Sequence, residues 1–252
     1  MSAEVRIIGI EGMPEVHAGD DLPALILDAA RTHDVAIEAS DVLVVTQKIV
    51  SKAEGRIVDL ETVTPSPFAL QYAVAFEKDP RQIEVVLGET KRIVRMEHGV
   101  MICETHHGFI CANAGVDASN VEKNGTLCLL PLDSDASARR IRDAVRAALG
   151  VQVAVTVSDT FGRPWREGHL NFAIGVAGIG PLIDYAGQHD PAGYELRVTQ
   201  MAVVDELAAA AELVHGKLAR VPVAIIRGAE YHASEDAAIS QLIRPAEKDM
   251  FR

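Results

Sequence analysis

The chain has 252 residues, and 36 acidic side chains against 24 Lys and Arg give it a formal net charge of −12. Its 48% hydrophobic and 24% charged residues are typical of a folded globular protein, which excludes wholesale disorder. The acidic surplus argues against nucleic acid as the main partner, because phosphate backbones are bound by an excess of Lys and Arg. An anionic substrate would need a bound cation to screen its repulsion from the protein.

Capping residues and apolar spacing predict the helices. Most follow a Ser or Asp cap, often with a proline in the first turn, and the last two stop at Gly150 and Gly216. The predicted helices run over residues 21–32, 66–76, 79–87, 134–149 and 203–214. The tail over residues 234–243 is amphipathic and ends before Pro245.

Runs of β-branched residues predict the strands, over residues 42–50, 151–157 and 221–226, and a hairpin joins residues 100–103 to residues 109–112. Strands and helices interleave, whereas the hairpin requires antiparallel pairing, so the class is mixed α/β or α+β. No repeat or long linker divides the chain, which favours one domain over residues 1–252.

The sequence contains no candidate membrane span. The longest uncharged apolar stretch, residues 172–183, is shorter than the roughly 20 residues of a bilayer helix. Residues 1–12 carry charges and lack the apolar core of a signal peptide, so we expect a cytoplasmic protein with no membrane partner. The three cysteines form no CxxC pair and are expected to be reduced thiols.

Two short acidic segments follow predicted strands, residues 113–120 around Asp117 and residues 158–160 around Asp159. Their carboxylates, with a hydroxyl nearby, are hard oxygen ligands of the kind that bind Mg²⁺ or Mn²⁺ together with a nucleotide phosphate. The alternative is that these side chains only form an Asx turn and a helix cap. Spacing alone leaves both interpretations open.

Two basic segments could contact phosphate. Lys48 and Lys52 follow the core of the first predicted strand, although the GxxxxGK[ST] loop is absent. Arg163 lies directly after the second acidic segment, beside the single tryptophan of the chain, and a guanidinium matches phosphate oxygens. Solvated surface side chains are the alternative for both segments.

Taken in chain order, the motifs resemble the F420-0:L-glutamate ligase family, also called F420-0 gamma-glutamyl ligase, in its form without a nitroreductase-like domain. The segments that carry this resemblance are GMPE at 12–15, GDDL at 19–22, VSKAEGR at 50–56, NAGVDASNV at 113–121, LPLD at 130–133, SDTFGR at 158–163 and AVVDE at 202–206. The resemblance implies a mixed α+β fold with two interleaved subdomains and a partly antiparallel sheet, assembled as a homodimer.

The resemblance also implies the reaction, a GTP-dependent addition of L-glutamate to the deazaflavin coenzyme precursor F420-0, with further γ-linked glutamates in some members. Two Mg²⁺ or Mn²⁺ ions per site and K⁺ are the implied cofactors. The acceptor carboxylate would take the γ-phosphate of GTP, and the glutamate amine would then displace phosphate from the acyl phosphate, leaving GDP and phosphate.

Family site residues carry over position by position. The nucleotide-binding positions fall on Met13, Pro14, Glu15, Val16, Gln47, Lys48, Lys52 and Asn120, and the metal ligands on Asp117, Asp159 and Thr160. Some relatives have an oxygen-bearing metal ligand where this chain has Lys217, so either the second metal ion is held differently or Lys217 itself contacts phosphate as a nucleotide-binding residue. The residues expected to act in catalysis are Asp117, Asp159, Lys52 and Arg163.

Three alternatives remain open from the sequence. The first is a ligase of the same fold that acts on another carboxylate acceptor. The second is a metal-dependent phosphohydrolase that uses the same two aspartates. The third is a deazaflavin-binding protein without turnover.

Overall fold

A computed structural model describes residues 4–118 and 125–250 of the chain. The α-helices are Leu22–Thr32 (α1), Gln47–Ala53 (α2), Pro67–Phe76 (α3), Pro80–Gly88 (α4), Ser134–Leu149 (α5) and Val203–His215 (α6). The strands are Arg6–Ile10 (β1), Val42–Thr46 (β2), Ile57–Asp59 (β3), Thr90–Glu97 (β4), Val100–Thr105 (β5), Ile110–Ala112 (β6), Thr126–Cys128 (β7), Ala154–Arg163 (β8), Arg166–Ala177 (β9), Ile183–Asp184 (β10), Gln200–Met201 (β11) and Val223–Arg227 (β12).

The largest sheet has five strands in the order β1-β12-β2-β8-β9. β2 and β8 are parallel, while the other three neighbouring pairs are antiparallel. This mixed sheet confirms the expected mixed α+β class.

Helices cover both faces of this sheet. Leu43 and Val45 of β2 pack with side chains of α1 and α5, whereas Val42 and Val44 pack with α6. None of the four side chains has exposed surface, which explains why β2 is a continuous apolar run and not an alternating one. α5 begins against β9, where a Cβ added at Gly175 would lie 2.5 Å from the backbone of Ser134.

A smaller unit is inserted between α2 and α5. It contains the three-stranded sheet β4-β5-β6, the helices α3 and α4, and the β3-β7 ladder. Its own core includes Tyr72, Ile83, Met101 and Cys103. The chain leaves the central layer after α2 and returns to it at α5, so the two units are interleaved in sequence.

The predicted helices over residues 21–32, 66–76, 79–87, 134–149 and 203–214 are confirmed within a residue or two of their ends. Asp21, Ser66, Asp79 and Asp133 each accept a hydrogen bond from a backbone N–H of the first turn. The hairpin of β5 and β6 is also confirmed. All three cysteines are free and buried.

The predicted strand over residues 42–50 is wrong beyond Thr46, where α2 begins. In the helix, Gln47 Nε2 donates to Ser51 Oγ at 2.6 Å. Side chains four residues apart lie on one helix face, so Lys48 and Lys52 project together. A strand would have placed these two lysines about 13 Å apart.

The predicted strand over residues 151–157 ends too early, because β8 continues to Arg163. Residues expected beyond its end lie inside it, since β9 provides their partners: Asp159 pairs with Phe172 and Thr160 with Asn171. β4 was not predicted from the sequence, because half of its residues are charged and exposed.

The amphipathic tail forms only a short 3-10 helix, Ile239–Leu242. The Ile239 N–H donates to the carboxylate of Asp135 at 3.1 Å, so a tertiary contact with α5 holds this segment. Within residues 4–118 and 125–250, no helix combines the length and apolar character needed to cross a bilayer.

Candidate functional site

The site is built around α2, which begins directly after the buried strand β2. Lys48 Nζ lies 2.5 Å from Asp117 Oδ2, and the ammonium of Lys52 forms an ion pair with Glu15. Both lysine side chains are largely buried, with 17% and 11% of their surfaces exposed. One helix face therefore joins the acidic segment at Asp117 to the loop after β1.

Asp117 is held by a backbone ladder with the smaller unit. Its N–H donates to Cys128 O at 3.0 Å, and Cys128 N–H donates to Asp117 O at 2.8 Å. The side chain remains 42% exposed, so its carboxylate can contact Lys48 and also a ligand. Asp117 thus lies where the smaller unit meets the central sheet.

Asp159 lies in β8, near the point where this strand extends past the central sheet. Loss of hydration raises the pKa of Asp159 to about 7, and the neighbouring carboxylate of Asp117 raises it as well. The Thr160 N–H and the charges of Lys48 and Lys217 act in the opposite direction. The structure therefore brings Asp117, Asp159, Lys48 and Lys217 into one electrostatic cluster.

Thr160 is the neighbour of Asp159 in the same strand, so its side chain points to the opposite face. Its Oγ1 donates to Asn171 Oδ1 at 2.7 Å, and Asn171 Nδ2 donates to Glu212 Oε2 of α6 at 2.9 Å. The hydroxyl thus faces α6, while the Thr160 N–H caps the Asp159 carboxyl. The role of Thr160 as a metal ligand stays a prediction.

Asn171 and Glu212 were not predicted from the sequence. Asn171 is a buried polar residue in an otherwise apolar part of β9, with 2% of its surface exposed. A buried amide needs hydrogen-bond partners, so a single polar residue in an apolar strand is the signal that could have identified it.

The other residues predicted to bind the nucleotide differ in how far they are buried. Gln47 is buried and donates to Leu129 O at 2.9 Å, which ties α2 to the segment after β7. Val16 is in the core, with 2% of its surface exposed, so only its backbone could contact a ligand. Met13 packs on the same core, and Glu15 reaches Lys52, whereas Pro14 is exposed.

Three further predicted site residues are Lys217, Arg163 and Asn120. Lys217 follows α6, is exposed, and is near enough to Asp159 to lower its pKa. Arg163 is at the far end of β8, where its Nη1 donates to Gly168 O at 3.3 Å. Asn120 lies outside the described residues.

The charges of the cluster bear on whether it can hold a divalent cation. Asp117 lies close enough to raise the pKa of Asp159, so the two carboxylates repel one another, and a bound cation would remove that repulsion. Across the described part of the chain, no group of three or more His, Cys, Asp or Glu side chains could hold an ion. Mg²⁺ commonly takes one or two carboxylates and completes its shell with phosphate oxygens and water, so the role of Asp117 and Asp159 as metal ligands stays a prediction.

Comparisons with known proteins identify the family of the chain. The chain matches the family model described as F420-0:Gamma-glutamyl ligase over residues 10–228. A protein of Methanothermobacter thermautotrophicus named coenzyme F420:L-glutamate ligase is 46% identical over 250 residues, covering 98% of this chain and 99% of the relative. Proteins of the same name from Methanopyrus kandleri and Methanocaldococcus jannaschii are 42% and 40% identical, covering 96% and 99% of this chain and 97% of each relative. The chain therefore belongs to the F420-0:gamma-glutamyl ligase family.

Proposed function

We propose that this chain is a GTP-dependent ligase that adds L-glutamate to F420-0 through an acyl phosphate, releasing GDP and phosphate. Its relatives named coenzyme F420:L-glutamate ligase match it end to end, which supports glutamate ligation as its reaction. The observation that carries the proposal is the cluster of Asp117 and Asp159 with Lys48.

This cluster suits the γ-phosphoryl group of a nucleotide. Carboxylates alone would repel phosphate, and lysines alone would bind it without a cation. Two carboxylates beside partly buried lysines provide both a cation site and fixed positive charge. The ion pair between Lys52 and Glu15 supports the loop at residues 13–16 as a second wall of the nucleotide site.

We assign a divalent ion, Mg²⁺ or Mn²⁺, to Asp117 and Asp159. When bound, it would supply a Lewis acid at the phosphate oxygens and neutralise their charge. A second divalent ion and K⁺ are part of the proposal through the family resemblance, as is the choice of GTP. Lys217, near Asp159, is assigned to a phosphate oxygen, because an ammonium group cannot coordinate a cation.

The chemistry needs two displacements. A carboxylate oxygen of the acceptor forms a bond to the γ-phosphorus while the bond to the β,γ-bridging oxygen breaks, and GDP leaves. The amine of glutamate then bonds to the acyl carbon, the carbon–oxygen bond to phosphate breaks, and the amine loses a proton as the amide forms. Lys48 and Lys52 balance the charge that develops on the phosphoryl oxygens.

The proposal includes a homodimer in the cytoplasm. Leu70 and Val74 lie four residues apart on α3 and are 50% and 84% exposed, and this apolar surface supports a contact between copies. Light scattering on the purified protein measures the oligomeric state directly.

The decisive experiment is a mass-spectrometric assay with F420-0, L-glutamate, GTP, Mn²⁺ and K⁺. We expect a product heavier by one or more glutamate residues, with GDP formed only when F420-0 is present. Parallel reactions omit the acceptor or replace GTP by ATP. GDP release without acceptor would instead identify a phosphohydrolase, and binding of F420-0 without any nucleotide use would identify a non-catalytic binding protein.

A second acceptor remains a candidate, because nothing in the Asp117–Asp159 cluster itself selects a deazaflavin. Replacing F420-0 by other carboxylates in the same assay tests this reading. Adduct formation on another carboxylate in preference to F420-0 would favour a ligase of the same fold with a different substrate.

A further inference from the structure

The tip of the β8–β9 hairpin has a residue that its backbone disfavours. Arg163 pairs with Arg166, so only Pro164 and Trp165 make the turn. The backbone of Trp165 is left-handed, with φ at +59°. Proline fixes its own φ near −65°, so the positive φ of this two-residue turn falls on the tryptophan.

A tryptophan is a poor choice for this position by the ordinary rules of turns. Glycine and asparagine are preferred where φ is positive, because a larger side chain clashes with the backbone. Burial does not compensate, since Trp165 is 81% exposed. A backbone outlier of this kind is a starting point for a functional hypothesis.

An open cleft with a volume of about 570 Å³ lies beside Trp165. Its lining includes Arg163, Arg166, His169 and Glu167 as well as the tryptophan. Two guanidinium groups against one carboxylate make the tip locally positive, in a chain whose net charge is −12. An exposed aromatic face between arginines fits a planar ring that carries negative charge.

The tip is connected to the acidic cluster by a single strand. Arg163 is four residues after Asp159 in β8, a distance of about 13 Å along an extended chain. Between them, Phe161 stacks with Phe172 at a centroid distance of 6.1 Å. A ligand with one end at Asp159 could therefore extend along β8 and place a ring at the tip.

We propose that the hairpin tip is the acceptor subsite, in which Trp165 stacks on the planar heteroaromatic ring of the acceptor and Arg163 and Arg166 contact its negative charge. This inference rests on the proposed function, because it identifies the tip as the place where the deazaflavin of F420-0 binds. It adds a binding site outside the cluster of Asp117, Asp159 and Lys48.

The test replaces Trp165 by Asn, which accepts a positive φ but cannot stack. We expect Trp165→Asn to weaken F420-0 binding about tenfold or more by calorimetry without nucleotide or metal, in line with the loss of one aromatic stack. Its GTP affinity and oligomeric state should be those of the unaltered protein. Its thermal midpoint should be equal or higher, because the turn now has a suited residue.

Tyr194→Asn is the matched control, since Tyr194 is an exposed aromatic residue, 67% accessible, outside the hairpin. We expect this control to bind F420-0 as the unaltered protein does. Trp165→Phe should retain most of the affinity, because its ring still stacks. Unchanged F420-0 affinity in Trp165→Asn would overturn the proposal, and so would a changed oligomeric state, which would make the tip a contact between copies.

The same binding data separate this inference from the proposed function. If F420-0 binds in a Trp165-dependent manner but receives no glutamate, the subsite stands and the ligase reaction fails. If glutamate is added equally well by Trp165→Asn at limiting F420-0, the ligase stands and the subsite is overturned. If the unaltered protein does not bind F420-0, the subsite is also overturned.

Discussion

The two ends of the extended part of β8 differ in how their charges are compensated. At one end, which we call the base, Asp117 lies close enough to Asp159 to raise its pKa. Lys48 Nζ is paired there with Asp117 Oδ2 at 2.5 Å. At the tip, Arg163 Nη1 donates to the backbone carbonyl of Gly168, and Trp165 is exposed. The base therefore combines opposite charges within the protein, whereas the tip exposes an aromatic side chain to solvent.

The largest effect is expected from Asp159→Asn at the base. The substitution removes one of the two carboxylates that would hold a divalent ion, so turnover should fall by about 10³-fold or more. Folding should persist, because loss of hydration already disfavours the charged form of Asp159 at neutral pH. Glutamate transfer measures the first effect, and a thermal melt with and without Mn²⁺ measures the second.

Asp28→Asn is the control for this variant, because Asp28 is an exposed aspartate of α1 that pairs with Arg31 across one helix turn. We expect Mn²⁺ to raise the thermal midpoint of the unaltered protein, because a bound ion stabilises the folded state. Asp28→Asn should keep this rise and also the turnover. Normal turnover in Asp159→Asn, or an undiminished Mn²⁺ effect, would remove Asp159 from the metal site.

Lys48→Met tests whether fixed positive charge at the base is needed. The substitution keeps the side-chain length but leaves Asp117 and Asp159 without their nearest compensating charge, so GTP should bind more weakly and turnover should fall by about 10²-fold. The KM for F420-0 should change little, because the tip is untouched. Steady-state kinetics with GTP and with F420-0 as the varied substrate measures the two KM values, and Lys78→Met is the control. An equal rise in both KM values would contradict a role of Lys48 confined to the base.

The sequence was sufficient to identify the components of the base but not how they meet. Asp117 and Asp159 were identified because each lies close to an apolar run, a local property of the chain. The contact of Lys48 with Asp117 joins positions 69 residues apart, and it depends on α2 where a strand was predicted. Such a long-range pairing leaves no periodic signal in either segment.

The tip was predicted less well, for a different physical reason. Sequence patterns at residues 158–163 indicated a strand end, because the apolar alternation stops at Val157. The strand continues because β9 pairs with it through Leu170, Asn171 and Phe172. Partner strands override local propensity, so the extension that carries Arg163 and Trp165 outward was visible only in the structure.

The contribution of α6 to folding stability can be tested through His215, the buried last residue of this helix. Burial lowers the pKa of His215 to about 4 from its ordinary 6.5, with the backbone of Val44 opposing the shift. Between these values the unfolded chain binds a proton that the folded chain does not, so the free energy of unfolding falls as the pH falls. This histidine should account for a loss of about 2 kcal/mol between pH 7 and pH 5.

Denaturant unfolding of the unaltered protein and of His215→Leu at both pH values checks this prediction. The leucine variant should lose that part of the pH dependence, while His232→Leu, at an exposed histidine, should keep it. An identical pH dependence in all three proteins would show that His215 does not stay neutral in the folded state.

Arg163→Ala gives the smallest effect and separates the base from the tip most directly. If Arg163 acts on the γ-phosphoryl group, as its motif predicts, the substitution should lower kcat with little change in the KM for F420-0. If it belongs to the tip, the KM for F420-0 should rise about tenfold while kcat changes by less than about threefold. We expect the second result, because Arg163 is about 13 Å along the strand from Asp159. Arg197→Ala, at an exposed arginine outside the hairpin, is the control and should leave kcat and the KM for F420-0 unchanged. A fall in kcat in Arg163→Ala but not in this control would show that Arg163 acts in phosphoryl transfer.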